Sequence, residues 1–391
     1  MIVMSLDAFL SRKAGALAVL VVTGVSSASI PAPALAADAH RPPAPAVAGV
    51  QVADDPGVPA LPENLSALSW AVTDADSGSV LAAKDLHRKL PPASTLKTLF
   101  AVTALPKFAA DSVHRVEPAE LEGVGSGSSL VGVEAGSSYS VADLWRGVFL
   151  RSGNDAVHVL ASMNGGWAAT AREMQAKARE LGAKDTTVKS PDGYDTPGQV
   201  SSAYDLTVFA RAGLANDDFA RYCSTARADF PTAGGVTRIE NTNRLLSGTN
   251  GMSRYPGIIG VKNGYTTNAG NTLIAAARRN GHTLLVTVMN PRSGAANGVY
   301  KEAAALLDWG FDSVGTAEPI GSMTRAVAPG PDTDSAPHTT RTDEAGNSPW
   351  RDALALWGGG IGAAVLAMGA ALARRQHLRR RAGERGGPQA P

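Results

Sequence analysis

Three short groups of residues have the types and spacings that chemistry needs: Ser94-x-x-Lys97, Ser152-x-Asn154 and Lys262-x-Gly264. Ser94 lies in Pro91-Pro92-Ala93-Ser94-Thr95-Leu96-Lys97-Thr98-Leu99-Phe100, where the prolines end an extended segment and the apolar run from Thr95 to Leu105 has helical spacing. Ser94 is therefore expected to open a helix, and residues three apart share a helix face, so its hydroxyl and the Lys97 amine project together. The positive end of the helix dipole lies beneath that hydroxyl. A serine attacks a carbonyl once a neighbouring base removes its proton. Lys97 can be that base only if its pKa falls from about 10.4 toward neutrality, which burial and a second nearby cation would achieve. Lys262 is a candidate for that cation. Gly264, two residues on, lets a strand edge approach a ligand closely, so its backbone can bind an extended peptide while the Lys262 ammonium holds a carboxylate. The backbone N–H groups of Ser94 and Tyr265 would then form an oxyanion hole, and the chemistry is acyl transfer.

Each group alone has a plainer reading. Ser94 and Lys97 taken singly read as a capping serine and a surface lysine, Ser152-Gly153-Asn154 as an interhelical turn, and Lys262 as a strand-edge charge. Ser162-Met163-Asn164 repeats the Ser-x-Asn spacing at a helix end. It is the three groups together, in this order and in an exported domain, that favour the chemistry.

The elements that must position them follow from periodicity. Ser69–Thr73 and Ser79–Ala83 are β-prone runs around Asp74-Ala75-Asp76-Ser77-Gly78, predicting a hairpin that leads to the Ser94 helix. Val124 to Ser138 is a Gly/Ser-dense loop region. Ser140-Val141-Ala142-Asp143 starts a helix that ends before Gly153, and Asp155 to Met163 is a second, so Ser152 and Asn154 lie at a tight helix junction. Trp167–Leu181 and Ala203–Leu214 are further helices. Ile258–Val261 leads into Lys262-Asn263-Gly264-Tyr265-Thr266-Thr267. Asn271–Arg279 and His282–Asn290 flank the hairpin signal Asn280-Gly281, and Tyr300–Trp309 closes as a helix. The result is an α+β domain from about 57 to 315, large enough to bury a core.

The ends speak of location. Arg12-Lys13, the apolar run Ala14–Val25 and Ala34-Leu35-Ala36 form a signal peptide over 1–36. An Ala/Pro-rich linker follows over 37–56, and a polar spacer occupies 316–352. The uncharged stretch 353–373 is long enough for the ~20 residues of a membrane helix, and the arginines of 374–391 keep that end cytoplasmic. The domain is thus expected outside the cell, tethered to the membrane. A net charge of +1 without a basic stripe argues against nucleic acid, and the single Cys223 excludes an intrachain disulfide and a cysteine-ligated metal site. The seven histidines include no His-x-x-x-His pair, so a zinc hydrolase finds no support. No stretch specifies an oligomeric state.

From roughly 60 to 310 the chain resembles the low-molecular-weight penicillin-binding proteins, the serine-type D-Ala-D-Ala carboxypeptidases. Ser190-Pro191-Asp192-Gly193-Tyr194-Asp195, Ser201-Ser202-Ala203-Tyr204-Asp205 and Asn241-Thr242-Asn243-Arg244-Leu245-Leu246 are similar to that family's intervening segments. The resemblance implies a penicillin-recognising transpeptidase/β-lactamase-like fold, with a five-stranded antiparallel sheet, helices on both faces and the site between the sheet edge and the helical part. It implies Ser94 as the acylated nucleophile and Lys97 as the proton acceptor. Ser152 and Asn154 would relay the proton and hold the substrate amide, and Lys262 would bind the terminal carboxylate, with Gly264, Tyr265 and Thr266 beside the substrate. The implied partners are peptidoglycan stem peptides, with β-lactams as covalent inhibitors, and no metal or organic cofactor. Two departures stand out. Asn263 replaces the usual Thr or Ser, whose hydroxyl helps to bind the carboxylate, so Asn263 or Thr266 would have to substitute; and the family's frequent second, β-rich domain has no room. Two rivals remain: a β-lactamase, although none of Glu173, Glu180 and Glu240 has the asparagine four residues on that the closest type uses, and a non-catalytic wall-binding protein.

Overall fold

The computed structural model describes residues 48–53 and 55–323. The expected signal peptide, membrane stretch and basic tail lie outside the described residues; among these no helix is long and apolar enough to cross a membrane.

The chain begins with β1 (Val50–Val52), β2 (Ala67–Asp74) and β3 (Ser79–Lys84), then passes through a 3-10 turn at Ala93–Leu96 into α1 (Lys97–Ala104). Short strands β4 (Val113–Arg115) and β5 (Ser138–Ser140) pair with each other. A helical stretch follows, of α2 (Val141–Arg151), α3 (Asn154–Met163), α4 (Trp167–Glu180), α5 (Ala203–Leu214) and α6 (Asp217–Ser224). Next come a hairpin of β6 (Arg227–Thr232) and β7 (Gly235–Glu240) and the short α7 (Arg244–Ser247). The chain then returns to the main sheet with β8 (Ile258–Thr266), β9 (Gly270–Arg279) and β10 (His282–Pro291), and closes with α8 (Gly298–Ser313) and β11 (Gly321–Ser322).

The main sheet is antiparallel, in the order β1-β3-β2-β10-β9-β8, with β11 also paired to β3. It therefore has seven strands, where five were expected. The two extra strands fall in stretches read as linker and spacer. Three residues and two residues are too short to show a period-2 alternation, and both strands are fixed only by pairing side by side on the edge of β3. Between β9 and β10, Asn280 and Gly281 both take positive φ, as a two-residue hairpin requires.

Side chains alternate between two cores. Ala71, Ile274, Ala276, Leu285 and Met289 face the helical half with Phe100, Trp145, Phe149 and Phe209. Trp70, Val72, Leu273, Ala275, Leu284, Val286 and Val288 face the other way, against Ala303, Leu306 and Leu307 of α8. A sheet buried on both faces holds its strands rigidly, which is what a site at its edge needs. Several other elements had no counterpart in the sequence reading: the β4–β5 pair, α6, only eight residues long, the four-residue α7, and the β6–β7 hairpin. β6 contains Pro231 and β7 is mostly exposed, so neither strand alternates clearly.

The helical half is fixed by its caps. Ser140 Oγ accepts from Asp143 N at the start of α2, and α2 ends at Ser152, whose φ of 58° turns the chain sharply into α3. Asp155, in the first turn of α3, then anchors a loop. Its carboxylate accepts from the N–H groups of Val131, Gly132, Val133 and Ala156 at 2.8–3.1 Å. An asparagine offers one acceptor oxygen and sets an NH₂ against those donors. Asp155→Asn is thus expected to cost about 2 kcal/mol and to lower Tm by about 6 °C in scanning calorimetry. An unchanged Tm would show that the loop does not depend on the carboxylate.

Candidate active site

Ser94 sits in the 3-10 turn rather than at the N-cap of a regular helix, because Ala93 takes a left-handed φ of 50°. The turn is fixed from outside: the Pro92 carbonyl accepts from Thr95 Oγ1 at 2.5 Å and from Thr272 Oγ1 of β9 at 3.0 Å. Gly193 packs so closely on it that a Cβ there would lie 2.0 Å from the Ala93 carbonyl oxygen. Gly264 of β8 is equally constrained, since a Cβ there would lie 2.7 Å from the Ser94 nitrogen. Only glycine lets the strand edge come this near the Ser94 N–H.

Lys97, the first residue of α1, is 1% exposed. Its Nζ lies 2.9 Å from Ser94 Oγ and donates to the Asp192 carbonyl at 2.5 Å. Burial lowers its pKa to about 8, against the opposing pull of the Asp192 and Asp155 carboxylates. Lys262 of β8 is also 1% exposed, and its Nζ donates to the Asn263 carbonyl at 2.8 Å. Its pKa falls well below the ordinary lysine value, first through burial and then through the charge of Lys97. The two amines are thus near enough to feel each other, and the dry environment resists two positive charges.

The facing wall comes from the α2–α3 junction. Ser152 is buried, and its Oγ has no hydrogen-bond partner. Asn154 donates from Nδ2 to Ser128 Oγ at 3.0 Å and from its backbone N–H to the Ser129 carbonyl at 2.8 Å, while its Oδ1 is buried and unpartnered. Ser94, Asn154, Tyr265 and Thr266 line one cavity of about 160 Å³, together with Gly127, Ser128, Ser129, Tyr194, Asp195 and Thr267. Tyr265 is 68% exposed at its rim. The fold therefore brings Ser94, Asn154, Gly264, Tyr265 and Thr266 to one cleft with Lys97 in direct contact with Ser94. Ser152 and Lys262 are buried next to residues of that cleft, on the α2–α3 junction and on β8.

Asn263 points elsewhere, its Oδ1 accepting from Thr242 Oγ1 at 2.9 Å, and Thr266 Oγ1 accepts from Ala269 N at 3.2 Å. Asn263 is thus tied into the protein, whereas Thr266, which lines the cavity, still has its O–H to donate. Three contributions escaped the sequence reading: the Asp192 carbonyl on Lys97, the Ser128 hydroxyl on Asn154, and the Asp155 carboxylate that pins the loop between them. Asp192 lay in a segment already singled out for resemblance. Ser128 was hidden in the Gly/Ser-dense loop, where nothing distinguishes one serine from the next. Among the described residues no group of His, Cys, Asp or Glu could hold a metal ion.

Comparison with known proteins agrees with this geometry. The family described as D-alanyl-D-alanine carboxypeptidase, Peptidase_S11, matches residues 56–293. The D-alanyl-D-alanine carboxypeptidase DacB2 of Mycobacterium tuberculosis is 40% identical over 260 residues, covering 66% of this chain and 86% of its own. A crystal structure of a D-alanyl-D-alanine carboxypeptidase from the same organism superposes with a TM-score of 0.62 at 39% identity, covering 68% of this chain and 98% of that one. The DD-transpeptidase of Streptomyces K15 superposes with a TM-score of 0.58 at 26% identity, covering 65% and 99%. The fold is accordingly the penicillin-recognising transpeptidase-like fold, and the chain belongs to the D-alanyl-D-alanine carboxypeptidase family of serine hydrolases.

Proposed function

We propose that the chain is an exported, membrane-tethered carboxypeptidase that removes the terminal D-Ala from peptidoglycan pentapeptide stems through an acyl-enzyme on Ser94. The observation that carries the chemistry is the buried Lys97 amine, 2.9 Å from the Ser94 hydroxyl and with its pKa lowered to about 8. Membrane tethering and location rest on the sequence of 1–36 and 353–391 alone.

The steps follow from the site. The substrate's terminal carboxylate approaches Lys262 and raises its depressed pKa, so that amine takes up a proton. The new charge lies close to Lys97 and favours the neutral form of that second amine. Neutral Lys97 then accepts the Ser94 proton as Oγ attacks the carbonyl of the penultimate D-Ala, and the N–H groups of Ser94 and Tyr265 hold the oxyanion. The unpartnered Ser152 Oγ is suited to pass the proton from Lys97 to the departing amine, and D-alanine leaves. Water then repeats the attack on the ester, with Lys97 again as base. Asn154 supplies an amide to orient the stem peptide. Among the described residues no glutamate lines the cavity around Ser94, which argues against the water-activating arrangement of the β-lactamase rival.

Incubation with a peptide ending in D-Ala-D-Ala should release D-alanine, and Ser94→Ala should release none; release by that variant would remove Ser94 from its role. Because the reactive state holds a proton on Lys262 and none on Lys97, kcat/KM should follow a bell, falling on the acid side where both amines are charged and above about pH 8 where neither holds a proton, whereas a profile flat from pH 6 to 10 would exclude Lys97 as the base. Lys97→Ala should slow acylation by about a hundredfold to ten-thousandfold. Intact-mass spectrometry after benzylpenicillin should show a persistent penicilloyl adduct. Rapid nitrocefin turnover instead would favour the β-lactamase, and no adduct at all the non-catalytic scaffold.

A further inference from the structure

We propose that Thr242 is a positioning residue for the reaction at Ser94: it straps the end of α2 to the Asn263 side chain on β8, and so fixes the spacing between the Ser152–Asn154 wall and the Lys262–Gly264 wall. The inference rests on the carboxypeptidase reading and goes deeper into that same site.

Thr242 lies between β7 and α7, and each of its three polar groups meets a different element. Its N–H donates to the Leu150 carbonyl at 2.9 Å, its hydroxyl donates to Asn263 Oδ1 at 2.9 Å, and its carbonyl accepts from the Tyr300 hydroxyl of α8 at 3.1 Å. Leu150 is the last residue but one of α2, in the final turn, where helix carbonyls have no partner within the helix. Ser152 follows two positions later, and Asn154 opens α3. At the other end of the strap, Asn263 stands between Lys262 and Gly264, and its carbonyl accepts from Lys262 Nζ at 2.8 Å. A single residue thus touches both walls next to the groups that meet the substrate. The hydroxyl can be removed without releasing its segment, because Asn241 holds that segment separately. Its N–H donates to the Ala226 carbonyl at 2.8 Å and its Nδ2 to the Thr225 carbonyl at 3.0 Å, while its Oδ1 accepts from Asn243 N at 2.9 Å.

The two walls also meet through apolar side chains, among them Val148 and Leu150 of α2 with Val261 of β8 and Ile274 of β9. That packing is non-directional: it presses the walls together without setting one against the other along the cleft. A hydrogen bond depends on both distance and angle, and so it can set them. The reaction asks for this setting. The peptide lies against both walls at once, with its carboxylate toward Lys262 and its departing amine toward Ser152, and a misplacement of about 1 Å can slow a reaction about a hundredfold. Asn263 contributes through Thr242 and not by touching the substrate.

The test uses the full chain in detergent. Intact-mass spectrometry follows acylation by benzylpenicillin over a range of concentrations, and gives a maximal rate constant and a half-saturating concentration for the protein that becomes acylated, so unfolded protein drops out of both. Thr242→Val keeps the shape and removes the hydroxyl; its maximal rate should fall about tenfold, while the half-saturating concentration stays within about twofold because the β8 groups that bind remain. Thr242→Ser restores the donor and should stay within about twofold of wild type in both. Asn263→Ala cuts the same bond from its other end, should slow acylation by a similar factor, and gives a second reading if the valine variant does not fold. Since both substitutions remove one interaction, the double variant should be no slower than the slower single one. An unchanged maximal rate in Thr242→Val, an equal loss in Thr242→Ser, or losses that multiply in the double variant would each overturn the strap. Release of D-alanine from Nα,Nε-diacetyl-L-lysyl-D-Ala-D-Ala is measured beside it. If wild-type protein takes up benzylpenicillin but releases no D-alanine, the carboxypeptidase reading fails by itself, and the acylation rates still measure the strap.

Discussion

Everything in the site depends on keeping one amine dry. An ordinary lysine at neutral pH is almost wholly protonated and cannot take a proton from serine. Lys97 departs from that state because α1 packs it away from solvent while a backbone carbonyl, that of Asp192, accepts its hydrogen bond. Carboxylates farther off moderate the effect, and their pull is what leaves the pKa near 8 rather than lower. Lys262 answers the same physics from the strand side. Its charge is costly for the same reason, and an anion placed beside it would relieve that cost.

That dryness requires two walls, which meet in the core on the helical side of the sheet. One is the sheet edge, whose strands are clamped by apolar side chains on both faces. The other is the α2–α3 junction with the loop over it. There the polar interactions do the holding: the Asp155 carboxylate on three successive loop amides, Asn154 on Ser128 and Ser129, and Tyr194 across to Ser126. The unpartnered atoms of Ser152 and Asn154 are the complement of this arrangement. Buried polar groups are ordinarily satisfied, and Asn154 Oδ1 is an exception on a side chain that lines the cavity.

How much of this was legible follows from how each part is encoded. Ser94 with Lys97, Ser152 with Asn154 and Lys262 with Gly264 are each two or three residues apart, within one strand or across one tight junction, where spacing along the chain is spacing in space. Elements with strong periodicity were equally readable, such as the helix Ala203–Leu214, whose limits agree with the structure, and the hairpin at Asn280-Gly281. What stayed hidden is long-range or carried by backbone. The Asp192 carbonyl reaches Lys97 across 95 positions, and no side-chain pattern announces a carbonyl. β1 and β11 exist only through their pairing with β3. Asn263 shows the limit of reading a departure residue by residue: its amide faces Thr242, a partner that only the folded chain brings near.

Among the described residues β8 is the last strand of its sheet, with β9 on one side and no further strand on the other. Such an edge exposes a row of unpaired N–H and C=O groups on which any passing chain can template, including another copy of this one. The Ser94 turn lies directly against that edge, so close that Gly264 can carry no side chain. The turn that carries Ser94 therefore also obstructs the edge. A long flat strand from a neighbouring molecule meets an obstruction, while a short, flexible peptide end can slip in. Protection from self-association and admission of substrate are settled by one contact.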